Sequence, residues 1–242
     1  MLVIPAIDLM DGKCVRLLRG RAETKVVYSD DPVAVARKWE SLGAEFLHLV
    51  DLDGALTGEI SNLRCAEDIV RSVHIPVEFG GGVRSTERIA ELLRSGVERV
   101  ILGTKACQKE FLTGAVSRFE ERIAVGIDAR DGMVAVEGWT RSTNLRAVDF
   151  AREVEAVGVR TVIFTDISAD GTLEGPSFAR IEELAKAVSM DIIASGGVSS
   201  SEDIRRLTAY EKDGVAGVIV GKALYEGTID LPEAIRIGQG GS

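Results

Sequence analysis

The stretch VIPAIDLMDGKCV, from Val3 to Val15, returns as IAVGIDARDGMVA, from Ile123 to Ala135, with Asp8 over Asp128 and Gly12 over Gly132 at an offset of 120. Further along, LGAEFLHLVDLDGALTG (Leu42 to Gly58) returns as VGVRTVIFTDISADGTLEG (Val157 to Gly175), which sets Asp51 over Asp166 at an offset of 115. FGGGVRS (Phe79 to Ser85) matches ASGGVSS (Ala194 to Ser200), and VILGTKA (Val100 to Ala106) matches VIVGKAL (Val218 to Leu224), with Gly103 over Gly221 at 118. The offset drifts only as loops of different length would make it drift. Repeats of about 20–50 residues would indicate a solenoid or a propeller. One duplication of half the chain predicts instead a single closed domain with pseudo-twofold symmetry.

Between these echoes, short aliphatic runs alternate with longer charged, amphipathic ones, the pattern of parallel βαβ units. The strand candidates are Leu2–Ile7, Phe46–Asp51, Pro76–Phe79, Val100–Leu102, Ile123–Ile127, Thr161–Thr165, Asp191–Ala194 and Gly217–Val220. Asp31-Pro32 reads as an N-cap and first-turn proline for a helix that Gly43 ends, and Ser85 and Ser200 read as caps for two others. Eight strands, each followed by a helix, predict an α/β fold of the (β/α)8 TIM-barrel type with half-barrel internal duplication. The barrel is expected over 1–237, with halves of about 1–120 and 121–237, and 238–242 as a flexible tail. A doubly wound sheet is the competing architecture, and duplication favours the barrel.

A chain of 242 residues with 45% hydrophobic content suits one such domain, since these barrels run to about 250 residues. No stretch approaches the roughly 18 consecutive apolar residues of a membrane span. Met1 leads into a strand pattern with no basic leader, so a soluble, cytoplasmic protein is expected. The net charge of −9 argues against nucleic acid as a partner. It does not exclude a small phosphorylated ligand, which needs only a few amides and cations. Cys14, Cys65 and Cys107 are odd in number and form no CxxC pair, so neither disulfides nor a zinc site is expected.

In a barrel of this kind, residues at the C-terminal ends of strands converge on one face. Asp8, Asp51, Gly82, Gly103, Asp128, Thr165, Gly196, Gly197 and Gly221 all fall there. A glycine pair after a strand lets backbone N–H groups approach an oxyanion, and the helix that follows adds a favourable field. The pairing of a glycine-pair motif with LGT in one half and VGK in the other predicts two phosphate sites across the mouth. The plainer reading, glycines that serve turn geometry, would suffice for any one of them alone.

Asp8 and Asp128 follow hydrophobic strands, and two carboxyl groups in a partly desolvated mouth can divide into an acid and a base. Asp51 reads more simply as a turn or helix cap. The histidines, His48 and His74, show no dense ligand spacing, so no metal is expected. His48 lies within a strand, as a barrel-interior residue or a support for the acids. GxSxG, a Cys/His pairing and a Walker sequence are all missing.

Taken together, PAIDLMDGKCVRL, HLVDLDGA, GGGVR, GIDARDG, EGW, TDISADGTLEGP, ASGGVSS and GKALYEG resemble the ProFAR isomerases of histidine biosynthesis, over almost the whole chain to about Gly227. The resemblance implies an aldose–ketose isomerase carrying out an Amadori rearrangement on a small substrate with a phosphate at each end. It implies Asp8 as general base, Asp128 as general acid and Thr165 as an orienting group. It further implies phosphate binding by Gly82, Gly103 and Thr104 on one side and by Gly196, Gly197, Gly221 and Lys222 on the other. Arg19, Trp139, Asp170 and Gly171 would fold over substrate from loops. No cofactor is implied, because the protonated imine formed in the reaction is its own electron sink, and a monomer without an obligate partner is expected. The string GWTR, with Arg141, resembles a bifunctional branch that also isomerises phosphoribosylanthranilate, where an arginine meets the anthranilate carboxylate. The sister cyclase of the pathway fits less well, since its first strand reads as CLDV where this chain has AIDLMDG. A noncatalytic phosphosugar-binding barrel would keep the glycines but could dispense with the acids.

Overall fold

The alternation of inward and outward residues along each strand accounts for the architecture, seen in a computed structural model that describes residues 1–18 and 21–241. In chain order the first half holds β1 (Leu2–Met10), β2 (Lys13–Leu18), β3 (Arg21–Ser29), α1 (Pro32–Ser41), β4 (Leu47–Asp51), α2 (Leu52–Thr57), α3 (Leu63–Ser72), β5 (Val77–Gly80), α4 (Thr86–Arg94), β6 (Arg99–Leu102) and α5 (Lys109–Phe119). The second half holds β7 (Ile123–Arg130), β8 (Met133–Val136), β9 (Arg141–Arg146), α6 (Ala147–Val157), β10 (Thr161–Asp166), α7 (Phe178–Ala185), β11 (Asp191–Ser195), α8 (Ser201–Thr208), β12 (Val215–Val220), α9 (Lys222–Tyr225) and α10 (Leu231–Gly238). The strands β1, β4, β5, β6, β7, β10, β11 and β12 pair in parallel in that order, and β12 returns to β1. The chain is therefore a closed (β/α)8 TIM barrel.

Along β1, Ile4, Ala6 and Asp8 point inward, whereas Val3, Ile7 and Leu9 pack outward beneath the helices. Ile4, Ile101, Ala124, Ile163, Ile193 and Ile219 fill the barrel's interior. A larger apolar layer lies between sheet and helices. The helix punctuation follows the sequence. Asp31 Oδ1 accepts from Ala34 N at 2.9 Å, Ser85 accepts from Arg88 N at 3.3 Å, and Ser200 forms a capping box with Asp203.

Where the sequence suggested loops after the first and fifth barrel strands, the structure has antiparallel ribbons, β1–β2–β3 and β7–β8–β9. Each begins with an Asp-Gly pair at positive φ, Asp11 and Gly12 at 53° and 73°, and Asp131 and Gly132 at 53° and 79°. Two successive positive φ values make the type I′ turn that suits hairpin twist. The registers Leu9↔Cys14 and Ala129↔Val134 are related by the same offset of 120 as the aspartates. At the other end, α10 continues through Gly238, whose carbonyl accepts from the Met1 ammonium at 2.7 Å, so Gly238 packs with the barrel.

Asp51 joins strand to helix at the barrel's rim. Fully buried, it accepts from Gly54 N at 2.9 Å, Ser61 N at 2.6 Å, and Asn62 N and Nδ2 at 2.9 and 2.6 Å. Replacing Asp51 by Ala strands several buried donors, each costing roughly 1–3 kcal/mol. Asp51→Ala should therefore lose about 3 kcal/mol of stability and lower the thermal midpoint by roughly 6–12 °C. A melting curve within about 2 °C of the parent would contradict this account.

Candidate active site

Parity places the carboxylates. Two residues past Ala6 on β1, Asp8 is again inward, and on β7 the same step from Gly126 turns Asp128 inward. Both open on one cavity of about 230 Å³ at the C-terminal ends of the barrel strands. Their surroundings differ. Asp8 Oδ2 accepts from Arg16 Nη1 on β2 at 2.5 Å, and Arg16 Nη2 stands 3.9 Å from Asp170. Burial works against the Arg16 charge, but the Asp8 and Asp170 carboxylates outweigh it and move its pKa further up. At the offset of 120 that relates the two ribbons, the counterpart of Arg16 on β8 is Val136, which is buried and lines the same cavity. One carboxyl group therefore has a guanidinium beside it, and the ribbon that follows its twin carries an isopropyl group at the equivalent place.

Asp128 accordingly feels its burial. Desolvation raises its pKa above the ordinary carboxylate value, against the opposing effect of hydrogen bonds from Trp139 and Thr165 and of the His48 imidazole nearby. Thr165 is the paired neighbour of Asp128 across β10–β7. Trp139 reaches it from a strained segment in which Glu137, Gly138 and Trp139 have φ of 58°, 61° and 69°. A bulky residue in the left-handed region is held there only by its surroundings. Here Thr104 Oγ1 accepts from Glu137 N at 2.8 Å, and Thr140 Oγ1 donates to Glu137 O at 2.6 Å. Asp170, on the loop after β10, has its pKa pushed up to about 6. Burial does most of this, Arg16 opposes it, and the Asp8 and Asp128 charges add to it.

The glycine motifs form two matched cradles. Gly103 and Gly221 each open a short helical turn, with φ/ψ of −94°/−115° and −108°/−99°. A Cβ on Gly103 would meet nothing within 4 Å, which leaves the space above it free. On Gly221 it would run into the Arg16 guanidinium at 2.2 Å from Nη2. Gly82 and Gly197 are at φ 72° and 83°, and a side chain on either would strike backbone of the preceding loop, at Glu59 or Gly175. Gly82, Gly197 and Gly221 thus serve close packing, as the plainer of the two sequence readings has it. Lys222 Nζ donates to Gly171 O at 3.1 Å and ties the second cradle to the loop after β10.

The structure therefore brings Asp8, Asp128, Thr165, Trp139, Asp170 and Gly171 together with both cradles around one cavity, and His48 lies in its lining. Asp51 stands outside it as a cap, and Arg141 does not line it but pairs with Glu137 at 3.0 Å on the surface. Arg19 lies outside the described residues. Two arginines were not anticipated. Arg16 comes back over Asp8 because the Asp-Gly turn folds β2 onto β1, a signal present in the MDG string. Arg84, in the GGGVR motif, lines the cavity and fills the space beside Gly58, where a Cβ would lie 1.9 Å from Nη1. Among the described residues no His, Cys, Asp and Glu cluster could hold a metal ion, and no helix is long and apolar enough to cross a membrane.

With this geometry in hand, the family described as histidine biosynthesis protein matches residues 2–230 of the chain. The chain is 49% identical to an isomerase of Acetivibrio thermocellus named 1-(5-phosphoribosyl)-5-((5-phosphoribosylamino)methylideneamino) imidazole-4-carboxamide isomerase, over 98% of this chain and 99% of that protein. Proteins of the same name from Ruminiclostridium cellulolyticum and Desulforudis audaxviator are 51% and 52% identical, covering 97% and 98% of this chain and 99% and 91% of theirs.

Asp170 offers a test of the electrostatics. Its folded-state pKa of about 6 lies above the ordinary 3.8, so the folded protein holds the proton longer than the unfolded chain. Its contribution is complete below about pH 4 and is lost as the pH rises through about 6. The stability of Asp170→Asn relative to the parent should therefore rise between pH 4 and 6, by up to about 3 kcal/mol. Thermal melts of both proteins across that range check it, and a difference that does not change with pH would refute the buried-carboxyl account.

Proposed function

The chain belongs to the histidine biosynthesis protein family, and from that membership we propose that it isomerises the bisphosphorylated aminoaldose named in its relatives to the corresponding aminoketose. The observation that carries the mechanism is the unequal pair of carboxyl groups in one cavity between two glycine cradles. An Amadori rearrangement needs an acid to open the ribose ring and a base to take the proton from C2. Asp128, buried and with its pKa raised, suits the acid, which must hold a proton before the ring opens. It gives that proton to the ring oxygen as the C1–O bond breaks, and the substrate nitrogen's lone pair forms a protonated imine. Asp8, beside the Arg16 guanidinium, then removes the C2 proton, and the electron pair flows into the imine. Return of the proton from Asp8 to C1 of the resulting enolamine, as the C2 hydroxyl gives its own proton to Asp128, gives the ketose and restores both carboxyl groups. The imine accepts the electron pair, so the reaction calls for no further cofactor.

The cradles suit the two ends of the substrate. Gly82, Gly103 and Thr104 offer amides and a hydroxyl on one side, with Arg84 close by. Gly196, Gly197, Gly221 and Lys222 do so on the other, next to Arg16. Thr165 and Trp139, both directed at Asp128, orient the acid. The reading needs neither a metal nor a protein partner, and it sets aside a noncatalytic barrel, which would have no use for the two acids.

Asp8→Asn and Asp128→Asn should each lower kcat for this aminoaldose by about 10²–10⁴-fold while leaving ligand affinity largely intact. Full turnover by both variants would sink the acid–base scheme. The pairing of Arg141 with Glu137 supports a single substrate, because that guanidinium is turned to the surface. Purified protein assayed on phosphoribosylanthranilate should accordingly show no turnover, and measurable isomerisation would instead establish the dual specificity suggested by the GWTR string.

A further inference from the structure

Beneath the two aspartates an ionic group fills the middle of the barrel and takes no part in the scheme above. Glu78 on β5 is fully buried, and its carboxylate meets His48 Nδ1 of β4 at 2.6 Å and accepts from Arg99 Nη2 and Nε of β6 at 2.7 and 2.9 Å. Arg99 also reaches Thr161 of β10 at 3.4 Å and lies over the Phe46 ring, 5.1 Å from its centroid. The neighbouring interior positions are isoleucines and alanines. A buried ion pair seldom stabilises a fold better than apolar residues of the same size, so this one calls for another reason.

Burial alone would push the Glu78 carboxyl up, but the bonds and charges of His48 and Arg99 outweigh it and hold the group below the ordinary range. Glu78 therefore carries no proton of its own and can only accept. The proton between it and His48 must sit on Nδ1, which leaves Nε2 for the cavity that His48 lines. Asp128 lines the same cavity. The bond at one imidazole nitrogen sets what the other can do.

The geometry points to Glu78 as a positioning residue that locks His48 in the Nδ1–H tautomer and presents Nε2 to a hydroxyl group of the bound sugar, an inference that rests on the isomerase reading above. Arg99 holds Glu78 in place and charged. Neither touches substrate.

The imidazole nitrogen NMR spectrum of the unmodified protein reports the tautomer directly. Only His48 and exposed His74 contribute to it. Pure Nδ1–H at His48 is expected, and an Nε2–H tautomer would overturn the inference whether or not the protein turns over the aminoaldose. Two double variants then separate tautomer from structure, each removing both buried charges so that neither is left alone. Glu78→Met with Arg99→Met deletes the acceptor. It should give mixed tautomers and a kcat at least about tenfold lower, with KM within about twofold. Glu78→Gln with Arg99→Met keeps a carbonyl for Nδ1–H and should hold the tautomer, with kcat within about threefold of the parent. Unchanged kcat in the first variant, or equal loss in both, would overturn the positioning role. Absence of turnover by the unmodified protein would fall on the isomerase reading instead. Should the variants fail to fold, the tautomer of the unmodified protein still decides.

Discussion

Closure of the parallel sheet is the constraint from which the rest of this structure follows. Because β12 pairs with β1 and β7 with β10, no barrel strand has a free edge, and every second side chain must point into the ring. That parity has one solution once Ile4, Ile163 and Ile219 are inside. It then sends Asp8, Asp128 and Thr165 to the mouth, and His48 and Glu78 to the layer below. A slip of one residue on β1 would exchange Asp8 for Ile7 and lose both core and site. Fold and chemistry are thus fixed by the same registers.

Within that frame, duplication supplies symmetry and a few side chains remove it. The ribbons after β1 and β7 share their turn type and register, yet one carries Arg16 and the other Val136 at the equivalent place. The cradles share backbone angles at Gly103 and Gly221, but only the second has a guanidinium resting on it. Unequal settings push the titrations of two identical carboxyl groups apart and so let them divide the work of acid and base. Departures from symmetry at Arg16 and Val136 sit where the mechanism proposed here needs them.

Much of this was legible in the sequence because it depends on local spacing. Eight strands, the convergence of Asp8, Asp128 and Thr165, and the helix caps at Asp31, Ser85 and Ser200 follow from periodicity and short-range hydrogen bonding. The ribbons were missed although Asp-Gly between apolar runs is a strong hairpin signal, since a barrel template leads one to expect loops there. With the ribbon missed, the arginine that reaches Asp8 could not be identified, because Arg16 approaches it across a strand pair rather than along the chain. The left-handed run at Glu137–Trp139 left no mark either. Only Gly138 has the residue type for that conformation, and its neighbours are forced into it by contacts such as Thr104 to Glu137. The surface pairing of Arg141 likewise depends on where that segment turns.

The contact between Arg16 and Gly221 has a bearing on the history of the chain. It crosses from one copy of the repeat to the other, so the copies have ceased to be interchangeable. A ring made of two first halves would press an arginine onto both cradles, and a ring made of two second halves would leave both acids without one. Once that side chain had settled over that glycine, the ring required one copy of each kind, and neither could be replaced by a second version of the other.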